Sequence, residues 1–219
     1  MSAYVLSLDA GLGRLLLAVR GDIPDQEDRE TPSLEITRLR GREPGAWREL
    51  FEDEMPRIYR YVASRVGTEE AEDLTSQVFE AAWQSVGGLK DRGLPARAWL
   101  FGIARNVVNN HRRRFFSRPV ELTLEGWDAP TAAMDPERLD LAQAVRRLPR
   151  RHAEVVVLRF VHGLSLEETA GVLGASVDGV KGRQARALAE LRTMLAGEQP
   201  AAARMQKPLS PVREERGRG

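Results

Sequence analysis

The sequence predicts an all-α protein in which a flexible linker joins two small helical domains. Apolar residues recur every three or four positions along several long stretches, as they do on the buried face of an α-helix. Alternating Val, Ile and Thr are scarce and aromatic residues make up 6% of the chain, so an all-β fold is not expected. Glycine or proline ends most of the periodic stretches, which separates them into individual helices.

The periodicity divides the 219 residues into five parts. We expect a leader at 1–42, a first helical domain at 43–114, a linker at 115–135, a second helical domain at 136–196 and a disordered tail at 197–219. Two interpretations of the leader stay open. The leucines from Leu6 to Leu16, together with Val19, could form a short amphipathic helix, or the whole segment could be disordered.

Three helices are expected in the first domain. The first spans 47–66, is kinked or interrupted at Pro56, and ends at Gly67, because glycine accepts the left-handed conformation that follows a helix end. The second is capped by Thr68 and stopped by two glycines. The third spans 96–114, and its aromatic residues are expected to lie in the core rather than to stack on bases.

The charges of the first domain are segregated between its helices, although the formal net charge of the chain is only +1. The polar face of the second helix is acidic and carries Glu72, Asp73, Ser76, Gln77 and Glu80. The polar face of the third helix is basic and rich in amides, and it carries Gly102, Arg105, Asn106, Asn109, Arg112 and Arg113. Opposite surfaces on one chain indicate two kinds of partner, one of them polyanionic.

The second domain ends in a predicted helix-turn-helix. Ser165 and Glu168 form a capping box before a short helix, Gly174 suits the positive φ of the turn, and Val180 would pack between the two helices. Ser176 can cap the second helix. The basic residues on that helix are Lys181, Arg183, Arg186 and Arg192. Because an α-helix fits the major groove, we expect these side chains to contact duplex DNA.

Both domains contain segments that resemble bacterial sigma factors. The segment at 148–192 reads LPRRHAEVVVLRFVHGLSLEETAGVLGASVDGVKGRQARALAELR and resembles region four, but it also resembles the DNA-binding domain of LuxR-type regulators. The segments at 71–83 and 97–114 read AEDLTSQVFEAAW and RAWLFGIARNVVNNHRRR, and they resemble region two of the extracytoplasmic-function group. Because the two regions stand in the order and spacing of that group, the chain is similar to this family. A stand-alone helix-turn-helix regulator of LuxR type is the alternative.

The resemblance implies a factor that binds core RNA polymerase, directs it to promoters and helps to melt the DNA. The acidic face of the second helix would contact the clamp of the largest polymerase subunit, and the second domain would contact the flap. The residues implied at the single-stranded minus-ten element are Arg105, Asn106, Asn109, Asn110, Arg112, Arg113 and Arg114. Those implied at the duplex minus-thirty-five element are Ser176, Lys181, Gly182, Arg183 and Arg186. An anti-sigma factor is a further candidate partner.

One loop and three single residues add detail to the resemblance. The loop that contains Lys90 and Asp91, after Leu89, would complete a pocket for a flipped base. Three residues depart from the family pattern: Gln77 stands where an acid is usual, Gly182 where serine is common, and Gln184 where an apolar residue packs. Glycine within a helix costs up to about 1 kcal/mol relative to alanine, so Gly182 calls for a structural reason.

Several function classes are not expected. The chain has no cysteine, which excludes disulfides and thiolate metal sites, and no apolar run is long enough to span a bilayer. No signal peptide is recognisable, so we expect a cytoplasmic protein. His152 and Glu154 imitate the H-x-E of zinc deaminases, but the cysteines of that site are absent and no histidines have metal-ligand spacing. We therefore expect no enzyme activity, no cofactor and no metal.

Overall fold

The computed structural model describes residues 12–20, 34–90, 93–115 and 136–198. All regular structure in these ranges is helical, which confirms the predicted all-α fold. The predicted linker from residue 116 onward, the predicted tail from residue 199 onward and Asp91 lie outside the described residues.

The helices of the first half of the chain are named here from α1 to α5. Their bounds are 12–20 for α1, Leu34–Arg40 for α2, Pro44–Val66 for α3, Ala71–Ser85 for α4 and Ala96–Phe115 for α5. A short 3-10 turn, Val86–Gly88, follows α4. The amphipathic-helix interpretation of the leader is therefore confirmed for residues 12–20.

Residues 136–198 contain four α-helices and one π-helical segment. Their bounds are Pro136–Arg147 for α6, Arg150–Val156 for α7, Val157–Val161 for the π segment, Leu166–Leu173 for α8 and Val177–Glu198 for α9. The apolar residues between Val155 and Val161 predict one continuous helix from about 150 to 162 that ends at Gly163, whereas the structure switches to π-helical geometry after α7. Gly163 has φ 70° and follows the segment, in agreement with the predicted end.

Two local features of the first domain differ from prediction. The sequence predicted a kink or an interruption at Pro56, and the interruption does not occur: α3 is a single helix with buried residues on both sides of the proline, Leu50 before it and Ile58 after it. Tertiary packing on this face outweighs the loss of one backbone hydrogen bond. Thr68 does not cap α4, because α4 begins at Ala71 and its N-cap residue is Glu70, without a side-chain cap.

Helix α2, which the sequence did not reveal, belongs to the core of the first domain. Ile36 and Leu39 are buried in the same apolar cluster as residues of α3, α4 and α5. The indole of Trp47 donates a hydrogen bond to the backbone oxygen of Leu39 at 3.1 Å, which ties α2 to α3. Seven residues give too few periodic positions for sequence analysis to distinguish such a helix from a loop.

The two domains pack against each other. Leu158, Leu164 and Val172 of the second domain lie in the apolar cluster of the first, and α5 contacts α8. The imidazole of His162 packs against the rings of Tyr61 and Phe101, with ring centroids 5.6 and 5.1 Å away. Burial lowers the pKa of His162 well below its usual value, and three arginines on α3 act in the same direction, so the imidazole is neutral in this contact.

Candidate nucleic-acid interface

The helix-turn-helix has the local geometry that the sequence predicted. The Glu168 amide donates to Ser165 Oγ at 3.1 Å and the Ser165 amide donates to Glu168 Oε2 at 2.6 Å, so the capping box is reciprocal. Gly174 is left-handed, with φ 62° and ψ 39°. The Ser176 hydroxyl accepts the Gly179 amide at 3.1 Å, and Val180 is fully buried. These contacts fix the angle at which α9 leaves the turn.

Helix α9 leaves part of its predicted reading face open. Lys181 and Arg186 are exposed, and Arg183 is half-buried. The Arg186 Nε donates to the backbone oxygen of Gly182 at 2.9 Å, so this side chain lies along its own helix. A Cβ at Gly182 would stand 3.1 Å from an Arg186 guanidinium nitrogen. The glycine therefore leaves room for the arginine, which gives this departure from the family pattern a structural reason.

Gln184 has a buried polar partner. Arg159 of the π segment is 2% exposed, and its Nε donates to Gln184 Oε1 at 3.0 Å. One guanidinium nitrogen of Arg159 also donates to the backbone oxygen of Leu164 at 2.7 Å. An amide replaces the usual apolar residue here because it accepts a hydrogen bond from a cation that would otherwise be buried with one donor unpaired.

The predicted basic face of α5 is partly exposed and partly covered in the structure. Asn106 and Asn110 are exposed, and Arg113 on the same side donates to the Asn110 carboxamide oxygen. Arg105 and Asn109, next to them on the helix surface, contact the second domain instead. The sequence does not reveal that the second domain covers this part of the face.

The covered face of α5 is held by polar contacts between the domains. Arg105 Nε lies 3.5 Å from Glu154 Oε1, and Arg150 donates to the Asn109 carboxamide oxygen at 2.8 Å. Burial lowers the pKa of Arg112, and the nearby Arg150 lowers it further. Arg114, at the end of the helix, is exposed.

The strongest contact between the domains involves the capping box. Arg97 binds both carboxylate oxygens of Glu168, with Nε at 2.6 Å and a terminal guanidinium nitrogen at 2.8 Å. The Glu168 side chain is 3% exposed and that of Arg97 is 22% exposed. One carboxylate therefore caps α8 and binds α5 at the same time. The capping motif revealed the first role of Glu168, but nothing local in the sequence indicates the second.

A cavity of about 580 Å³ opens beside α5. Lys90, Asn106 and Trp99 are among the lining residues. The expectation that Trp99 lies in the core is only partly met, because Trp99 is half-buried, packs on the apolar cluster and also lines the cavity. This volume lies in the range of small-molecule sites. The predicted pocket loop and Asn106 thus share one cavity, whereas Asn110 is not among the lining residues.

The second domain forms part of the wall of this cavity. Gly171 of α8 lines it, and a Cβ at this position would stand only 2.8 Å from a terminal methyl group of Leu94. Glycine is therefore the residue that allows α8 to come this close to the loop before α5. Phe101, on the other side of α5, is fully buried, as predicted.

The predicted acidic face of α4 is exposed along its length. The exposed residues are Glu72, Asp73, Ser76, Gln77 and Glu80. Two large aromatic side chains, Phe51 and Trp83, are 47% and 43% exposed and pack on Phe79 and Trp47 respectively. The helix pair α3 and α4 thus presents acidic and aromatic side chains together, and aromatic residues are enriched at protein-binding surfaces.

Three further candidates have other partners in the structure. Arg192, expected among the basic residues of α9, donates to backbone oxygens of Ala18 and Val19 in α1. His152 and Glu154, which have the spacing of the zinc-deaminase motif, contact other residues: His152 lies 3.1 Å from Glu190, and Glu154 lies beside Arg105. Among residues 12–20, 34–90, 93–115 and 136–198, no group of three metal-binding side chains occurs. Within the same ranges, no helix has the length and apolarity needed to cross a membrane.

Comparison with known proteins identifies both domains. Residues 50–115 match the family Sigma-70 region 2, and residues 144–193 match Sigma-70, region 4. The chain is 36% identical to the ECF RNA polymerase sigma factor BldN of Streptomyces coelicolor, in an alignment that covers 73% of this chain and 64% of that protein. It is 36% identical to the ECF RNA polymerase sigma factor SigD of Mycobacterium tuberculosis, over 67% of this chain and 76% of that protein.

A solved structure has a similar fold. CnrH, solved in complex with the cytosolic domain of CnrY, matches 76% of this chain and 97% of its own chain, with a TM-score of 0.57 and 27% identity.

Proposed function

Since the chain belongs to the extracytoplasmic-function group of RNA polymerase sigma factors, we propose that it binds core RNA polymerase, directs it to specific promoters and helps to melt the DNA. The exposed acidic face of α4 is the proposed contact with the polymerase clamp, and the second domain is the proposed contact with the flap. An exposed carboxylate-bearing face suits a basic protein surface, because complementary charges raise the rate of association and fix the register.

The observation that carries the proposal is the cavity beside α5. It combines a cation, Lys90, an amide, Asn106, and an aromatic ring, Trp99. Single-stranded nucleic acid is bound by the same combination of cationic groove, stacking surface and hydrogen-bonding groups at base edges. We therefore propose that one unpaired base of the minus-ten element enters this cavity, while the exposed Arg113 and Arg114 bind adjacent phosphates.

The proposed contact with the minus-thirty-five element is made by α9. The side chains that would approach the major groove are Ser176, Lys181, Arg183 and Arg186, with Gly182 on the same surface. For Arg186 to reach a base edge, its hydrogen bond to the Gly182 oxygen must be exchanged for one to DNA. Family membership argues against a stand-alone LuxR-type regulator, which would leave the first domain without a role.

The test is run-off transcription with purified core polymerase, combined with a fluorescent base analogue that reports melting of the minus-ten element. Adding the chain should produce specific transcripts that core polymerase alone does not make. Asn106→Ala should reduce melting about tenfold or more, since one good amide–base pair contributes roughly 1–3 kcal/mol. Asn106→Ala should leave polymerase binding within about twofold of wild type.

Two further variants separate the proposed roles. Asp73→Lys reverses a charge on the α4 face and should weaken polymerase binding itself. Gln143→Ala removes an exposed amide from α6, away from the cavity, the α4 face and the proposed DNA contacts of α9, and serves as the matched control for Asn106→Ala once its polymerase binding equals that of wild type. Equal loss of melting in the Asn106 and Gln143 variants would remove the cavity from the proposal.

The remaining elements of the proposal follow from family membership. The relatives are transcription factors, so we propose no intrinsic enzyme activity, and we propose that the chain acts in the cytoplasm together with the polymerase. We also propose a protein partner that binds the factor apart from the polymerase, as an anti-sigma factor would, because the similar protein CnrH forms a complex with the cytosolic domain of CnrY.

A further inference from the structure

Helix α1 packs as an amphipathic helix on the second domain, although more than a hundred residues separate the two in sequence. Leu12 and Leu15 are fully buried, and Ala18 and Val19 are 8% and 6% exposed. These residues recur at the spacing of one helix face, while Leu17 on the other side is 43% exposed.

The surface under α1 is a continuous apolar groove of the second domain. The buried face of α1 shares one apolar cluster with α6, the π segment and the second half of α9. Without α1, the side chains of Leu141, Val145, Phe160 and Leu191 would lose part of their cover. A contiguous apolar surface of this kind marks a site of protein association.

Polar contacts near residue 20 fix the direction of α1 in the groove. Arg192 of α9 donates to the backbone oxygens of Ala18, at 3.1 Å, and of Val19. Arg20 forms an ion pair with Glu137 of α6. The groove therefore selects a helix by its apolar face and also by backbone oxygens that Arg192 can reach.

The contact is suited to reversible binding. Most of the stability of a helix in a protein comes from packing of its apolar face, so α1 depends on the groove for its stability. Its four buried residues are small or medium in size, and their burial opposes the entropy of ordering the whole segment. A tethered segment nevertheless acts at an effective concentration in the millimolar range, so a weak ligand can occupy the groove in cis.

We propose that this groove is a docking site for an amphipathic helix and that residues 12–20 are its exchangeable ligand, supplied by the chain itself. A protein partner that docks a helix here must displace α1, so the leader sets the affinity of the groove for that partner. Leu191 and Arg192, which contact α1, belong to the same helix as the proposed DNA contacts. Occupancy of the groove therefore also changes the packing of the second half of α9. This site is independent of the proposed function, and its test uses neither polymerase nor DNA.

The first test compares two full-length variants at one exposed position. Leu17→Pro breaks α1 without touching the groove, whereas Leu17→Ser removes the same side chain and keeps the helix. The probe is a fluorescein-labelled peptide with the sequence of residues 8–24, followed by fluorescence anisotropy. The Leu17→Pro chain should bind the peptide at least tenfold more tightly than the Leu17→Ser and wild-type chains, because its groove is vacant. A peptide that carries Leu15→Asp should not bind.

The second test needs no variant and covers the case in which the proline variant fails to fold. In native-state hydrogen exchange, the amides of α1 should exchange at least a hundredfold faster than the slowest amides of α9, because α1 opens without global unfolding. Equal protection of α1 and α9 would show a permanent part of the domain core and would overturn the proposal. Equal peptide binding by the Pro and Ser variants would overturn it as well.

Discussion

The ion pair between Arg97 and Glu168 offers a sharp test of how the two domains are held together. Arg97→Met removes the cation and keeps most of the apolar length of the side chain, and the capping hydrogen bond from Ser165 to Glu168 can persist. What remains is a carboxylate that is 3% exposed and has lost its two contacts with a guanidinium.

The magnitude follows from this burial. Breaking a fully buried pair costs about 3–5 kcal/mol, because the remaining charge is uncompensated. Since Arg97 is 22% exposed and Glu168 keeps one backbone donor, we expect a loss at or just below the bottom of that range, about 2–3 kcal/mol. Adding Glu168→Gln to Arg97→Met removes the buried charge but keeps a carboxamide oxygen for the cap, so the double variant should recover at least half of the loss.

The assay is urea unfolding of the full chain, with hydrogen exchange of α8 as a local probe. Arg38→Met is the control, because Arg38 binds two carboxylates, Glu43 and Glu49, at the surface. Surface pairs contribute little, so this variant should unfold close to wild type. An Arg97→Met chain as stable as the Arg38→Met chain, or a double variant no more stable than Arg97→Met, would refute the reasoning.

Three further predictions concern stability and are measured by urea unfolding. Gln184→Leu should lower the free energy of unfolding by about 1–3 kcal/mol, because Arg159 Nε loses its acceptor. Adding Arg159→Met should restore most of the lost stability. A Gln184→Leu chain more stable than wild type would contradict this role of the amide. Burial raises the pKa of Glu54 to about 7. Between about pH 4.5 and 7 the unfolded chain has therefore released the proton of the Glu54 carboxyl, whereas the folded chain still holds it. The free energy of unfolding should fall as the pH rises through this interval. Glu54→Gln should remove up to about 3 kcal/mol of that decline. If the pH profile of this variant were the same as that of wild type, Glu54 would not be the group responsible. Gly102→Ala should stabilise α5 by up to about 1 kcal/mol, because a Cβ at this position meets open space. Gly171→Ala should raise the free energy of unfolding by less, because its Cβ would stand 2.8 Å from a side chain. Equal stabilisation by the two variants would contradict the close packing at Gly171.

The helix-turn-helix shows how far local sequence reaches. The capping box from Ser165 to Glu168, the left-handed Gly174 and the buried Val180 all follow from contacts within a few residues, and the structure confirms them. The same type of reasoning failed at Thr68, where a good capping residue lies two positions too early, and at Pro56, where packing overrides a helix breaker. Capping and proline preferences amount to a few kcal/mol at most, so buried tertiary contacts can reverse them.

Part of the candidate site could be predicted from the sequence and part could not. The acidic face of α4 and the polar residues of α5 were predicted, because charge and helical periodicity can be determined from the sequence alone. The sequence could not separate Asn106, which lines the cavity, from Arg105, which faces Glu154. That separation depends on which side of α5 the second domain covers, and no local pattern encodes it.

By itself, then, the sequence determined the helical class, the helix-turn-helix and the segregation of acidic from basic faces, because each of these depends on residues three or four positions apart. Only the tertiary structure decided that Arg97 binds the capping carboxylate of α8 and that α1 covers a groove of the second domain. These contacts join residues 71 and more than 100 positions apart. Their free energy comes from burial and charge pairing between surfaces that meet only when the whole chain has folded.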